Sequence, residues 1–179
     1  MSELRTNRIV PRDGLTSGAS GGIIQVVSVT KTDAALVEDT AAGSFTSSNV
    51  SGLDLAITPT RSDSKILLLC NMSIGSEGTR VGFVIYKGGS ALSGAIGDAS
   101  SSRGRITSSG SVAGDGYLTQ QSTNFLDSPG TTSAVTYSIR IANGDNSTQY
   151  VYLNRTYTDT DTARYPRTVS TITAMEVSG

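Results

Sequence analysis

The chain has 179 residues, with 14 Lys and Arg against 15 Asp and Glu, no His, and a net charge of -1. That length suits one domain with a core of ordinary size, and so little net charge gives no bulk attraction to nucleic acid or an anionic membrane. No stretch approaches the ~18 apolar residues of a membrane span, and a single Cys without any His removes Ser-His-Asp and Cys-His catalysis and Cys/His zinc sites.

Residues 1–22 differ in character from the rest of the chain. Leu4, Ile9, Val10 and Leu15 are scattered among Glu3, Arg5, Arg8, Arg12 and Asp13, and Ser17 to Gly22 form a Gly/Ser hinge. So few apolar groups cannot offset a backbone ordering entropy of ~1–2 kcal/mol per residue. The segment is therefore read as an arm, either frayed or ordered by a partner, with Leu4, Arg5, Arg8, Ile9, Val10 and Arg12 as its docking residues. No apolar core of a secretory signal is present in it.

From Ile23 onward the chain reads as strand, turn, strand, which predicts an all-β head over residues 23–179: an antiparallel β-sandwich or jelly roll. Strands are expected at 23–30, 44–50, 53–58, 65–74, 80–87, 103–107, 117–125, 135–142, 149–157 and 167–177. Asp33 to Ala42 fits a helical turn or a loop. Leu53, Leu55 and Ile57 alternate with Asp54 and Ala56, as do Val135, Tyr137, Ile139 and Ile141 with Thr136, Ser138 and Arg140; these are strands with one buried face. Three other runs, 23–29, 66–70 and 169–177, are apolar at successive positions. An antiparallel strand with one wet face should alternate, and no amphipathic helix is available to cover a second face. Another copy of the chain is the expected cover, with Ile23, Val27, Leu67, Leu69, Arg103 and Ile172 at the contact.

Longer loops rich in Gly, Ser, Thr and Asp are expected at 88–102, 108–116, 126–134 and 158–166, and in sandwiches such loops carry binding. Asp98, Tyr157, Asp159, Asp161 and Tyr165 are the candidates for contact with a receptor, since Tyr supplies apolar area and a hydroxyl together. Arg103, Arg105, Arg155, Arg164 and Arg167 are expected to pair with Asp98 or Asp127 at a subunit boundary, or else to be solvated. The 158–162 run lacks the Gly and distal Glu of a calcium loop. No metal, cofactor or catalytic residue is expected.

Several ordered motifs carry a resemblance: Leu4 to Gly14, Gly21 to Val27, Gly97-Asp98-Ala99 with Arg103, Asn124 to Pro129, Asn154-Arg155-Thr156, and Ile172 to Val177. Together they resemble tail-fibre and related virion proteins of tailed bacteriophages, especially those of marine bacteria and cyanobacteria. The resemblance implies a non-enzymatic, homotrimeric tail or baseplate fibre, anchored to another virion protein by residues 1–22. Its β-sandwich would face a host-surface glycan or protein. A capsid decoration or head-fibre protein clamped to the shell is the alternative, and a glycan-cleaving tailspike the third reading.

Overall fold

The computed structural model describes residues 22–39, 47–78, 80–145, 147 and 149–179. They form two antiparallel sheets packed face to face, as the sequence predicts. Sheet A holds β1 (Ile23–Lys31), β2 (Ala35–Asp39), β4 (Lys65–Ser76), β8 (Thr119–Asp127), β10 (Gln149–Leu153) and β11 (Ser170–Val177); sheet B holds β3 (Ser47–Ile57), β5 (Arg80–Lys87), β6 (Ser90–Ala91), β7 (Ser108–Ser111) and β9 (Val135–Asn143). The docking residues Leu4, Arg5, Arg8, Ile9, Val10 and Arg12 lie outside the described residues.

Sheet A is four positions wide. β8 runs along one side of β4, and β11 and β10 follow one another along the other side. β1 and β2 then continue the pattern, β1 beside β11 and β2 beside β10. The break in this long ribbon is closed by Asn154, which holds a left-handed φ of 63°. Its amide donates to the carbonyls of Lys31 (2.8 Å) and Asp33 (3.0 Å), and its Oδ1 accepts from Ser170 Oγ (2.7 Å). That turn ends β10 at Leu153, four residues short of the expected 149–157 strand.

The core lies between the sheets. Leu53, Leu55, Ile57, Phe83, Ile85, Tyr137, Ile139 and Ile141 from sheet B meet Ile66, Leu68, Met72, Ile74, Val151, Leu153 and Ile172 from sheet A. Polar links join the sheets at two places. At one, Tyr137 Oη donates to Asp127 (2.6 Å), which also pairs with Lys87 (2.9 Å). At the other, the fully buried Glu176 accepts from Gln25 Nε2 (2.6 Å) and from the amide (2.7 Å) and hydroxyl (2.8 Å) of Thr60.

Three local expectations are corrected. Residues 35–39 form a strand, not a helical turn or loop, because Leu36 and Val37 complete a ladder beside Tyr152 and Val151. The expected strands 44–50 and 53–58 are one strand from Ser47, bent where Gly52 takes a φ of 85°. Residues 103–107 are irregular, and the strand falls at Ser108–Ser111, inside an expected loop. Here backbone pairing with β5 outweighs side-chain pattern: Thr107 N bonds to Phe83 O (3.0 Å), and Thr107 Oγ1 accepts from Ile85 N (3.0 Å).

Candidate functional site

The loop of residues 154–169 leaves the sheet at Asn154 and returns at Ser170, and an ion cluster fixes its shape. Asp159 accepts from both Arg155 and Arg167, the Arg167 contact at 2.6 Å. The hydrogen bond from Arg167, followed by that from Arg155, holds the Asp159 carboxyl below the usual carboxylate range against the opposing effect of burial. This corrects the expected pairing with Asp98 or Asp127 at a subunit boundary: Arg155 and Arg167 meet on Asp159 of their own chain. Asp127 is taken by Lys87 and Tyr137, while Arg103 stays local, donating to Ser100 Oγ (2.7 Å), and Arg105 donates to Gly97 O (2.7 Å).

The base of the loop rests on the outer face of β4. A Cβ on Gly75 would run into the Arg155 carbonyl, so only glycine admits the loop there. Tyr152 lies under this cover, with the Arg155 guanidinium 3.9 Å from its ring centre and the Tyr157 ring 5.9 Å away, tilted by 54°. The Tyr157 hydroxyl donates to Glu77 (3.3 Å), whose charge pushes that hydroxyl's pKa up. Tyr157 is thus occupied in fixing the loop. Tyr150, on the same outer face as Tyr152, is exposed.

Beyond the clamp, Asp159, Thr160, Asp161, Thr162, Tyr165 and Arg167 line a cavity of ≈ 320 Å³. Asp161 is exposed, and its carboxylate has no hydrogen bond or ion pair among the described residues. The Tyr165 ring packs at Gly116, within 3.0 Å of where a Cβ would sit. Three of the five receptor candidates, Asp159, Asp161 and Tyr165, are therefore brought to one concavity. Tyr157 supports it from behind, and Asp98 sits exposed in the separate 96–102 loop. The sequence reading missed Gly75 and Asn154 as the residues that place this loop. A glycine inside an apolar strand was the available signal for the first.

The contact candidates divide by face. Val27 and Ile172 point into the sandwich: Ile172 is a fully buried member of the core and Val27 packs against it, so neither needs a neighbouring copy. Arg103 is exposed in a loop. Ile23, Leu67 and Leu69 are on the outer side of sheet A, where strand register builds an apolar row. Leu126 on β8 lies opposite Leu67 on β4, Leu67 opposite Met175 on β11, and Met175 opposite Val26 on β1. Val177 and Ile23 flank the row on one side and Leu69 on the other.

No protein-family model matches the chain, and no curated protein matches it in sequence. Among solved structures the chain is similar to that of infectious bursal disease virus Gx strain, at TM-score 0.46 and 13% identity over 98% of this chain and 37% of that one. It is also similar to the VP2 subviral particle of infectious bursal disease virus, at TM-score 0.39 and 11% identity over 97% and 46%. The chain spans less than half the length of either. Overlaps this loose carry no argument about what the chain does.

Proposed function

We propose that the chain is a non-enzymatic structural module of a bacteriophage virion, a trimeric fibre head that attaches to a host-surface glycan through the 158–167 loop. The observation that carries the attachment role is the clamp of Arg155 and Arg167 on Asp159. It gives a polar concavity a fixed shape before any ligand arrives, which cuts the ordering cost of binding. Within it, Asp161 offers acceptor oxygens to sugar hydroxyls, and Tyr165 offers an aromatic ring beside them. Single contacts of this kind are weak, and several copies on one fibre add through effective concentration, raising avidity by ~10²–10⁴. The location on a tail or baseplate, with residues 1–22 as tether, rests on the family resemblance.

The test compares the protein with Asp161→Asn and Tyr165→Ala variants, each displayed in many copies on beads and exposed to host cells. Both variants are expected to lose adhesion while remaining folded, with the unfolding temperature of Asp161→Asn unchanged; adhesion equal to that of the original chain would dismiss the loop as the contact. Solution mass of three chains, 3 × 18.5 = 55.5 kDa, and antibody labelling of the tail and not the shell on whole particles test the assembly and its place.

A further inference from the structure

Each sheet carries a piece of the chain on its outer face. Residues 154–168 cover the Gly75 end of sheet A, and on sheet B Ile106 lies against Gly82, 2.7 Å from where a Cβ would be. The other end of sheet A has no such cover among the described residues. There the row Leu126, Leu67, Met175, Val26 crosses all four strand positions. The two rungs that follow towards the loop run from Ser28 to Asn124 and from Thr30 to Ser122, and hold only Ser, Thr, Asn and Leu69. No side chain in the three rungs is charged. Of the eight large apolar residues exposed among the described residues, six stand on strands of sheet A and none on sheet B.

We infer that this panel is where copies of the chain meet, three faces turned inward with the Val26 rim of one against the Leu126 rim of the next. The inference deepens the trimeric reading above and rests on it. Charge argues for a copy as the occupant: a charged partner would strand its ions on a face that offers them no counter-charge, whereas the same face of another chain brings none. Area argues likewise. The panel measures ~19 Å across the strands and ~20 Å along them. Side-chain relief roughly doubles that flat area of about 400 Å², to the ~800 Å² of accessible surface that each partner gives up in a standard interface. Val26, 54% exposed, and Leu126, 52% exposed, stand at the two rims, while Leu67 and Met175 between them are half-buried, so the rims are what a neighbour has to cover. Width selects the number of copies. A triangle with ~19 Å sides has its axis ~5.5 Å from each side, about half the ~10 Å at which two sheets pack, so side chains fill its centre. Four such faces would set the axis ~9.5 Å away and leave a hole. The 154–168 loops stand past the third rung and gather round one end of the axis, and Ile23 opens β1 at the other.

The full chain carrying Val26→Cys and Leu126→Cys together tests this. Within one chain the two positions are three strand spacings apart, ~14 Å, and a disulfide needs Cα atoms within ~7 Å. Cys70 is buried, so a bridge between the new cysteines joins two copies. Mild oxidation is expected to give a closed set of three, 3 × 18.5 = 55.5 kDa, on a non-reducing denaturing gel, while either single variant stays at the mass of one chain. A bridged pair from a single variant would show like rims meeting and overturn the arrangement. A double variant that stays unbridged, or whose product stops at two chains, would overturn it too. Met175→Arg, on the outer face and clear of the core, is the second arm. It is expected to lower the solution mass from three chains to one while circular dichroism shows the strands intact. Three chains retained by that variant would overturn the inference and leave the trimeric reading standing, with its contact elsewhere. A single chain for the unaltered protein at high concentration would overturn both.

Discussion

The outer face of sheet B presents Asp54, Thr136, Ser138 and Arg140, with the Arg140 guanidinium 4.0 Å over the Tyr86 ring; at the same depth, sheet A presents Val26, Met175, Leu67 and Leu126 in one register. Both sheets bury their inner faces in the same core, so burial of a strand does not distinguish them. The difference lies in what the second set of side chains is for. On sheet B, a folded-back segment and long charged side chains finish the surface for water. On sheet A, half of the face is finished by the 154–168 loop and half is left greasy.

The adjacent leucines of β4 give the sharpest contrast. Leu68→Ala, on the inner face, is expected to cost about 3 kcal/mol through a cavity, whereas Leu67→Ala, one residue away on the outer face, should cost under about 1 kcal/mol. Urea denaturation of both variants checks this, and equal losses would mean the row is as enclosed as the core. Gly75→Ala comes next. Its new Cβ drives against backbone at Arg155, so a loss of about 2–3 kcal/mol is expected, together with loosening of the 154–168 loop visible as faster amide exchange.

Glu176→Gln probes the link that ties sheet A to the turn after β3. Burial opposes the Glu176 charge, but donors outweigh it and hold the carboxyl below its ordinary value of 4.5. Gln25 and Thr60 make full hydrogen bonds to it; Ser64 Oγ adds to the effect without completing one. Because the unfolded chain takes up this proton first as pH falls, the stability from Glu176 is whole above pH 4.5. It declines below that value and is gone once the pH passes beneath the folded pKa. The variant should lose about 1–3 kcal/mol at neutral pH and show a flatter stability curve below pH 4.5 in thermal melts. The smallest effect belongs to sheet B: Arg140→Ala should cost about 0.5–1 kcal/mol through the lost contact with Tyr86, measurable in the same melts.

The alternation in β3 and β9 made sheet B legible from sequence, since period-2 burial is visible residue by residue. Sheet A was legible as strands but not as faces. Leu67-Leu68-Leu69 reads as apolar throughout, and only the pairing of β4 with β8 and β11 shows that Leu68 turns inward and its neighbours outward. Ile172 and Val27 were assigned to a contact between copies for the same reason, although their own sandwich encloses them. β2 was hidden because Ala35 to Asp39 is short and its partner, β10, lies more than a hundred residues away. β7 is Ser-Ser-Gly-Ser, which carries no periodic signal at all. The 158–166 loop was legible as a loop by composition. Its geometry was not, because an Asp that anchors two arginines and an Asp that faces solvent are spelled alike.

The closure at Asn154 has a consequence for how such a protein can diversify. Leu153 and Ser170 meet at one junction, so the sixteen residues between them (154–169) form a side excursion whose ends are already joined. Lengthening an excursion of this kind changes its closure entropy only logarithmically, ~0.6 kcal/mol per doubling, and shifts no strand against another. New tips can be grafted outboard of the Arg155–Asp159–Arg167 triangle while the strand pairing beneath stays in phase. Variation at the tip of the loop is thereby uncoupled from the ability to fold.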